Sequence, residues 1–270
     1  LYYRYRDLWF NFFNFLEIDT ITSPDTNKKI LENGSKLSND EACLSLKIYL
    51  GHVNEIINKC DFLLLPRVQN PKKDEKTCTN FYALYDLVST YFNKEKILDY
   101  NIDNKNDEKK AFINIGKRLG FSKEKSLNAY EYAKKIELKN KRESFIEQNK
   151  LLKKNTKKIL LVGHPYNIYD NLVGKQIIDF LKENNIDIIY ADVFISDLVP
   201  LAYNISKDIY WTYNKELLGA LEYYKNFVNG IILVSSFPCG PDSLVNDLII
   251  RKVKDIPLIN IVLDDLNSGT

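Results

Sequence analysis

The segment at residues 157–170 reads KKILLVGHPYNIYD. Its apolar run has no polar alternation. That is the pattern of a parallel strand covered by helices on both faces. The run ends in Gly163 and a polar loop, as a strand feeding a helix must. The same unit then recurs. Residues 171–184 form an amphipathic helix pattern, and IDIIYADV (186–193) is a second strand. A helix over 214–226 leads to GIILVSS (230–236), followed by FPCGPDS. A helix over 242–254 leads to LINIVLDD (258–265). Strands alternating with helices in this way predict an α/β parallel sheet.

Toward the amino end the alternation continues more weakly. Residues 1–16 carry aromatics on a broad face and predict a helix. IDTIT (18–22) is short and β-branched, and Ser23-Pro24-Asp25 turns the chain. A short helix over 26–33 would end at Gly34 as its C-cap. Residues 39–58 start acidic and continue with helical spacing. DFLLL (61–65) reads as a buried strand, 69–77 as a surface loop, TNFYALYDLVSTYF (79–92) as a helix, and KILD (96–99) as a further strand. Residues 103–156 are rich in Lys, Glu and Asn and carry few strand formers. Ala111, Ile115, Leu119, Ala129, Ala133 and Ile136 give them a weak helical period. The expected architecture is a first lobe over 1–102, a helical connector over 103–156 and a second lobe over 157–270. Both lobes would be doubly wound, Rossmann- or flavodoxin-like parallel sheets. The basic tract KLLKKNTKK (150–158) reads as a solvated helix end. The chain lacks Met, starts inside a helical pattern and stops just after an apolar run. It therefore reads as a fragment, short of a first strand and of its carboxyl end.

Composition narrows the function classes. With 38 basic and 36 acidic residues the net charge is +2, so bulk attraction to nucleic acid is not expected. No apolar run approaches the ~20 residues of a membrane span. The four cysteines are widely spaced, which is no disulfide scaffold and suits a reducing, cytoplasmic compartment.

In open parallel sheets ligands bind beyond the carboxyl ends of the strands. Cys43 in NDEACLSLK, Cys78 in EKTCTNFYAL and Cys239 in SSFPCGPDS fall at such ends or at helix starts. Helix N-termini favour a thiolate, the form that soft metals bind. Pro238, Gly240 and Pro241 would hold Cys239 in a fixed, exposed loop. Cys60, in KCDFLLL, reads as a core residue beginning a strand. No CxxC pair is present, and scattered cysteines are usually small buried hydrophobes. His52 lies in mid-helix and reads as structural. His164 lies in the loop after the first strand of the second lobe, with Tyr166, Asn167 and Asp170 able to bond a ligand or to close the turn on themselves. GxGxxG, GxxxxGK[ST] and GxSxG are absent, and two histidines do not make an HExxH zinc site.

Taken in order, DEAC with Lys47 (40–47), GH (51–52), PR (66–67), CxxF (78–81), GHPYNIYD (163–170), CGPDS (239–243) and LDDxxSGT (263–270) resemble one family. It is that of the 2-hydroxyacyl-CoA dehydratase activase-related proteins, relatives of dehydratase and benzoyl-CoA reductase subunits. The resemblance runs over nearly the whole chain. It implies an iron–sulfur cluster between two α/β lobes, with Cys43, Cys78 and Cys239 as ligands and Cys60 left out. The cluster would be a [4Fe-4S] cubane or a double cubane. Two departures stand near the ligands: Ser45 where a proline is common, and Thr79-Asn80 where a proline and a basic residue are usual.

The implied chemistry is low-potential electron transfer. An ATP-dependent activator would pass an electron to the cluster, for dehydration or reduction of a CoA thioester or small molecule. The chain has no ATP-binding signature of its own. The resemblance thus casts it as the electron acceptor, an acyl-CoA dehydratase-like lyase or reductase component working as a homodimer or heterodimer. His164, Tyr166 and Asp242 are the candidate ligand-pocket residues, with Asp264 and Asp265 at a strand end nearby. The alternatives are a clusterless two-lobed scaffold and a zinc-binding protein using the same thiols.

Overall fold

The computed structural model describes residues 1–193 and 195–265. The end of the LDDxxSGT motif, from Leu266 onward, and the last residues of the expected second lobe lie outside these described residues. The chain divides into two compact units, Leu1–Pro24 with Lys29–Asn39 and Leu46–Lys139, and Asp25–Lys28 with Asp40–Ser45 and the remainder from Asn140.

The first unit is built on one βαβ crossover. Strand β1 (Leu63–Val68) pairs in parallel with β2 (Ile97–Ile102), Leu63 facing Ile97 and Val68 facing Ile102. The connecting helix is α4 (Thr79–Tyr91). Both sheet faces are covered, which is why neither strand alternates cleanly with polar residues. On one face Val68, Leu98, Tyr100 and Ile102 meet α1 (Tyr2–Phe15), α5 (Glu108–Arg118) and the first half of α6 (Lys123–Leu152). Phe12 of α1 and Phe112 of α5 are fully buried there, 4.6 Å apart between ring centroids. On the other face Leu65 and Ile97 meet Leu84 and Val88 of α4 and Leu50 and Val53 of α3 (Leu44–Ile56).

Several local expectations change. IDTIT takes no regular structure. The acidic start of 39–58 lies outside the helix, which begins only at Leu44. Gly34 is no C-cap but sits inside α2 (Lys28–Ser35). It is there because α2 crosses α3 backbone to backbone. A Cβ on Gly34 would lie 1.7 Å from Lys47 O, and one on Gly51 would lie 1.9 Å from Ile30 O. Cys60 does not begin a strand. It follows α3 in a bend, half-exposed, its thiol donating to Ile56 O at 3.5 Å.

The second unit holds an all-parallel four-stranded sheet in the order β4-β3-β5-β6, comprising β3 (Lys158–Gly163), β4 (Asp187–Tyr190), β5 (Gly230–Ser236) and β6 (Leu258–Leu263). Neighbouring residues of one strand enter opposite cores. Leu160, Val162, Ile189, Ile231 and Leu233 pack under α9 (Thr212–Tyr224) and α10 (Gly240–Lys252). Leu161, Ile188 and Val234 pack under α8 (Lys175–Glu183) and the single turn α7 (Pro165–Ile168). This explains the unbroken apolar runs. Most of the basic tract is exposed as expected, but Lys158 is buried and donates through Nζ to Thr156 O at 2.9 Å. Among the described residues no helix is long and apolar enough to cross a membrane.

Candidate functional site at the carboxyl end of the second sheet

The strand order fixes where a site can form. From β3 the chain winds outward to β4, then returns to place β5 on the other side of β3. The crevice beyond the carboxyl ends of β3 and β5 is thus the point where winding reverses, the usual ligand position in such sheets. GHPYNIYD follows β3 there, and FPCGPDS follows β5. At the end of β3, Gly163 lets the strands close up, since a Cβ would stand 2.6 Å from Val234 O.

Three sequence candidates meet in this crevice. His164 Nε2 lies 3.0 Å from Asp242 Oδ1, with both side chains almost fully buried. Tyr166 stacks on the His164 ring, centroids 5.2 Å apart and planes 17° apart. A fourth residue, Asn214 near the start of α9, donates from Nδ2 to the same Asp242 oxygen at 2.9 Å. Burial opposes ionisation of Asp242, but the His164 imidazole, Asn214 and the Cys239 thiol outweigh it and hold the carboxyl below its usual range. Asp242 Oδ2 is buried without a well-formed hydrogen bond, although the Cys239 thiol interacts with the carboxylate.

The cysteines sit at helix starts, as their sequence contexts suggest. Cys239 is the N-cap of α10 and Cys78 the N-cap of α4. Cys43 stands immediately before α3 rather than in its first turn. The expectation that a helix start lowers the thiol is overturned at Cys239. Burial pushes that thiol well up, and the charge of Asp242 and the neighbouring Cys43 push the same way. A loop predicted to expose the sulfur instead half-buries it, and the dipole of one helix end does not offset the lost solvation and an adjacent carboxylate. Phe237–Pro238 is a cis peptide in this loop.

Cys43 reaches the site because its segment is laced to it. Leu44 N donates to Phe237 O at 3.0 Å. Ser45 Oγ lies 3.0 Å from Asn167 Oδ1 and 2.8 Å from Ser236 Oγ. Ser45, in the first turn of α3, thus ties the Cys43 segment to the α7 turn after β3 and to the end of β5, a job no proline could do. Asp170 is spent on its own turn, accepting from Leu172 N at 2.9 Å and from the Thr26 hydroxyl. Asp264 and Asp265 follow β6 and are half-buried. His52 pairs with the Ser23 hydroxyl at 2.7 Å, within the first unit.

Cys43 and Cys239 therefore belong to the second unit and Cys78 to the first. None of the three is in a disulfide, and thiols are a donor type suited to iron or zinc. Among the described residues no three His, Cys, Asp or Glu side chains gather into a group able to hold a metal ion. Within either unit the full set of three is not assembled.

Sequence reading missed Asn214, Ser236 and Ser45 as site residues. Asn214 lies inside an ordinary amphipathic helix pattern. Only the strand order could have shown that the start of this helix returns to the crevice.

Against known families, the model of the CoA enzyme activase uncharacterised domain, DUF2229, matches residues 1–194. That span includes Cys43, Cys78 and GHPYNIYD. No curated protein and no solved structure matches the chain.

Proposed function

The chain belongs to the CoA enzyme activase domain family, and from that membership we propose that it is an iron–sulfur-binding, electron-accepting component of an acyl-CoA dehydratase- or reductase-type system. An ATP-dependent activator protein would serve it in the cytoplasm. The ligands would be Cys43, Cys78 and Cys239. The observation that carries this reading is the bond from Leu44 N to Phe237 O, which holds the Cys43 segment against the loop that carries Cys239 beyond β5. Two thiols distant in sequence thus come within electrostatic reach of each other, while Cys60 stays tied to a carbonyl of its own helix. Cys78, at the start of α4, would be the third ligand. The four-stranded order and the helices on both faces support a doubly wound lobe in the second unit.

When bound, such a cluster supplies one-electron transfer at low potential. The chain's own residues prepare the place. Asn214 Nδ2 and His164 Nε2 fix Asp242 and keep it ionised beside Cys239. Ser45 holds the Cys43 segment against α7 and the end of β5. Tyr166 covers the His164 ring and limits water at the His164–Asp242 pair. A CoA thioester or small molecule would enter beside His164, Tyr166 and Asp242.

A second reading has its own support. It is a clusterless scaffold or a zinc-binding protein using the same thiols, and the raised Cys239 thiol suits a sulfur that stays protonated and unligated. Single Cys→Ser variants separate the two. After anaerobic purification, Cys43→Ser, Cys78→Ser and Cys239→Ser should each lower bound iron and sulfide, and Cys60→Ser should not. Equal iron in all four variants overturns the ligand assignment. One zinc with no labile sulfide selects a zinc protein.

A further inference from the structure

The two edges of the second sheet are finished differently. At one edge β4 is short, and Gln148 of α6 bonds both the N–H of Tyr190 at 2.9 Å and its carbonyl at 2.8 Å. At the other edge β6 runs LINIVL, with no charge, proline or bulge inside it. Its one strand neighbour among the described residues is β5. Pro257 O and Leu263 O accept from Ile231 N and Phe237 N, so alternate residues of β6, Ile259 and Ile261 included, turn their backbone groups toward β5. Leu258, Asn260 and Val262 therefore turn theirs to the open edge. The side chains there are apolar on both faces. Ile259 is 55% exposed on the side of α7 and α8, where its neighbour Ile232 packs. Val262 is 48% exposed on the side of α10, where Asn246 bonds Asn260 at 3.0 Å. One turn on from Asn246, Ile250 adds a further exposed apolar side chain.

A long, uncharged edge is a template for another strand, and proteins either block such an edge or pair it. The occupant must be extended and apolar on both faces, since a charge set against Ile259 or Val262 would lose its hydration without a partner. β6 itself meets that description. Turned antiparallel about a two-fold axis at Asn260, a second β6 sets its Val262 opposite Leu258 and its Ile261 opposite Ile259. The outward N–H and C=O groups of Leu258, Asn260 and Val262 then meet their complements. The ends match in charge as well. Lys252 and Lys254 outnumber Asp255 before the strand, and Asp264 and Asp265 follow it, so antiparallel pairing lays each acidic end beside a basic one. We propose that β6 is the seam of a homodimer, in which two copies of this chain join edge to edge in one continuous sheet, four strands from each. The inference stands on the second sheet and not on the cysteine site.

Sedimentation of the full chain, combined with amide hydrogen exchange, tests this. At about 10 μM the mass should be twice 31.5 kDa. The Leu258, Asn260 and Val262 amides should be protected like those of β5. Ile259→Lys and Val262→Lys, at positions exposed in the single chain, should each raise the dimer dissociation constant about tenfold or more and speed exchange at the three amides. Phe180→Lys, on the exposed side of α8, should change neither. A monomer at that concentration overturns the proposal. With the three amides protected it means that another segment covers β6, and with them open that the edge stays bare. A dimer that survives Ile259→Lys and Val262→Lys together has its seam elsewhere and overturns the proposal too. Mass and exchange of the parent chain keep the test valid if a variant fails to fold.

Discussion

Replacing Asn214 with alanine tests whether the crevice is a connected network or a set of independent contacts. The side chain is 4% exposed and its Nδ2 gives Asp242 Oδ1 a 2.9 Å hydrogen bond. A hydrogen bond to a charged group contributes ~1.5–3 kcal/mol, and its loss leaves a buried carboxylate with one fewer donor. Asn214→Ala should therefore lower the unfolding free energy by about 2–3 kcal/mol near neutral pH. The pH dependence supplies a second readout. Asp242 is held below its ordinary value, so its stabilisation is full above the unfolded pKa of ~3.9 and is lost as pH falls through the folded value. The Asn214→Ala penalty should shrink over that same acid window. Urea unfolding at several pH values measures both. Asn204→Ala, whose exposed amide makes only a 3.5 Å contact with Glu222, is the control and should cost under ~0.5 kcal/mol. A penalty for Asn214→Ala no larger than this control refutes the network. So does a double-mutant cycle with Asp242→Asn that shows simple additivity.

Three other outcomes follow from the packing. Gly51→Ala should destabilise the first unit by at least ~1–3 kcal/mol, because its Cβ would stand 1.9 Å from the Ile30 carbonyl oxygen and the α2–α3 crossing must open; a thermal melt unchanged from the parent would contradict the crossing. Gln148→Ala should cost ~1–3 kcal/mol, since Gln148 caps β4 by donating to Tyr190 O at 2.8 Å and accepting from Tyr190 N at 2.9 Å; amide exchange at Tyr190 should accelerate, and unaltered protection would count against it. Asp99 binds its proton more tightly in the folded chain, so it favours folding below the unfolded pKa and loses that contribution as pH rises through the raised folded value. Asp99→Asn should then be at least as stable as the parent at neutral pH, and a clear loss in denaturant titration there would refute this.

The second unit was legible because its strands are buried on both faces. Runs such as KKILLVG and GIILVSS admit few other readings, and the four strands fall where the pattern puts them. The strand-end rule points to the loops that carry His164 and Asp242, while their 3.0 Å pairing depends on the strand order. In the first unit two strands carry the sheet, and α2 and α3 meet through glycines whose spacing has no sequence signature. Gly34 therefore passed for a C-cap. The Cys239 thiol was misjudged for a different reason. A helix start is visible in sequence, but burial and an adjacent carboxylate depend on tertiary packing, and here they outweigh the dipole. Asn214 and Ser45 were invisible for the same cause, since each acts across the fold on a residue far away in sequence.

Iron and acid-labile sulfide per chain, measured after anaerobic purification and again after reconstitution, tests the central proposal most directly. The proposal predicts about four of each for a cubane, or a clearly higher count for a double cluster, with both reduced in Cys239→Ser. Neither iron nor sulfide after reconstitution of a folded chain would contradict it and leave a binding protein built around the His164–Asp242–Asn214 crevice.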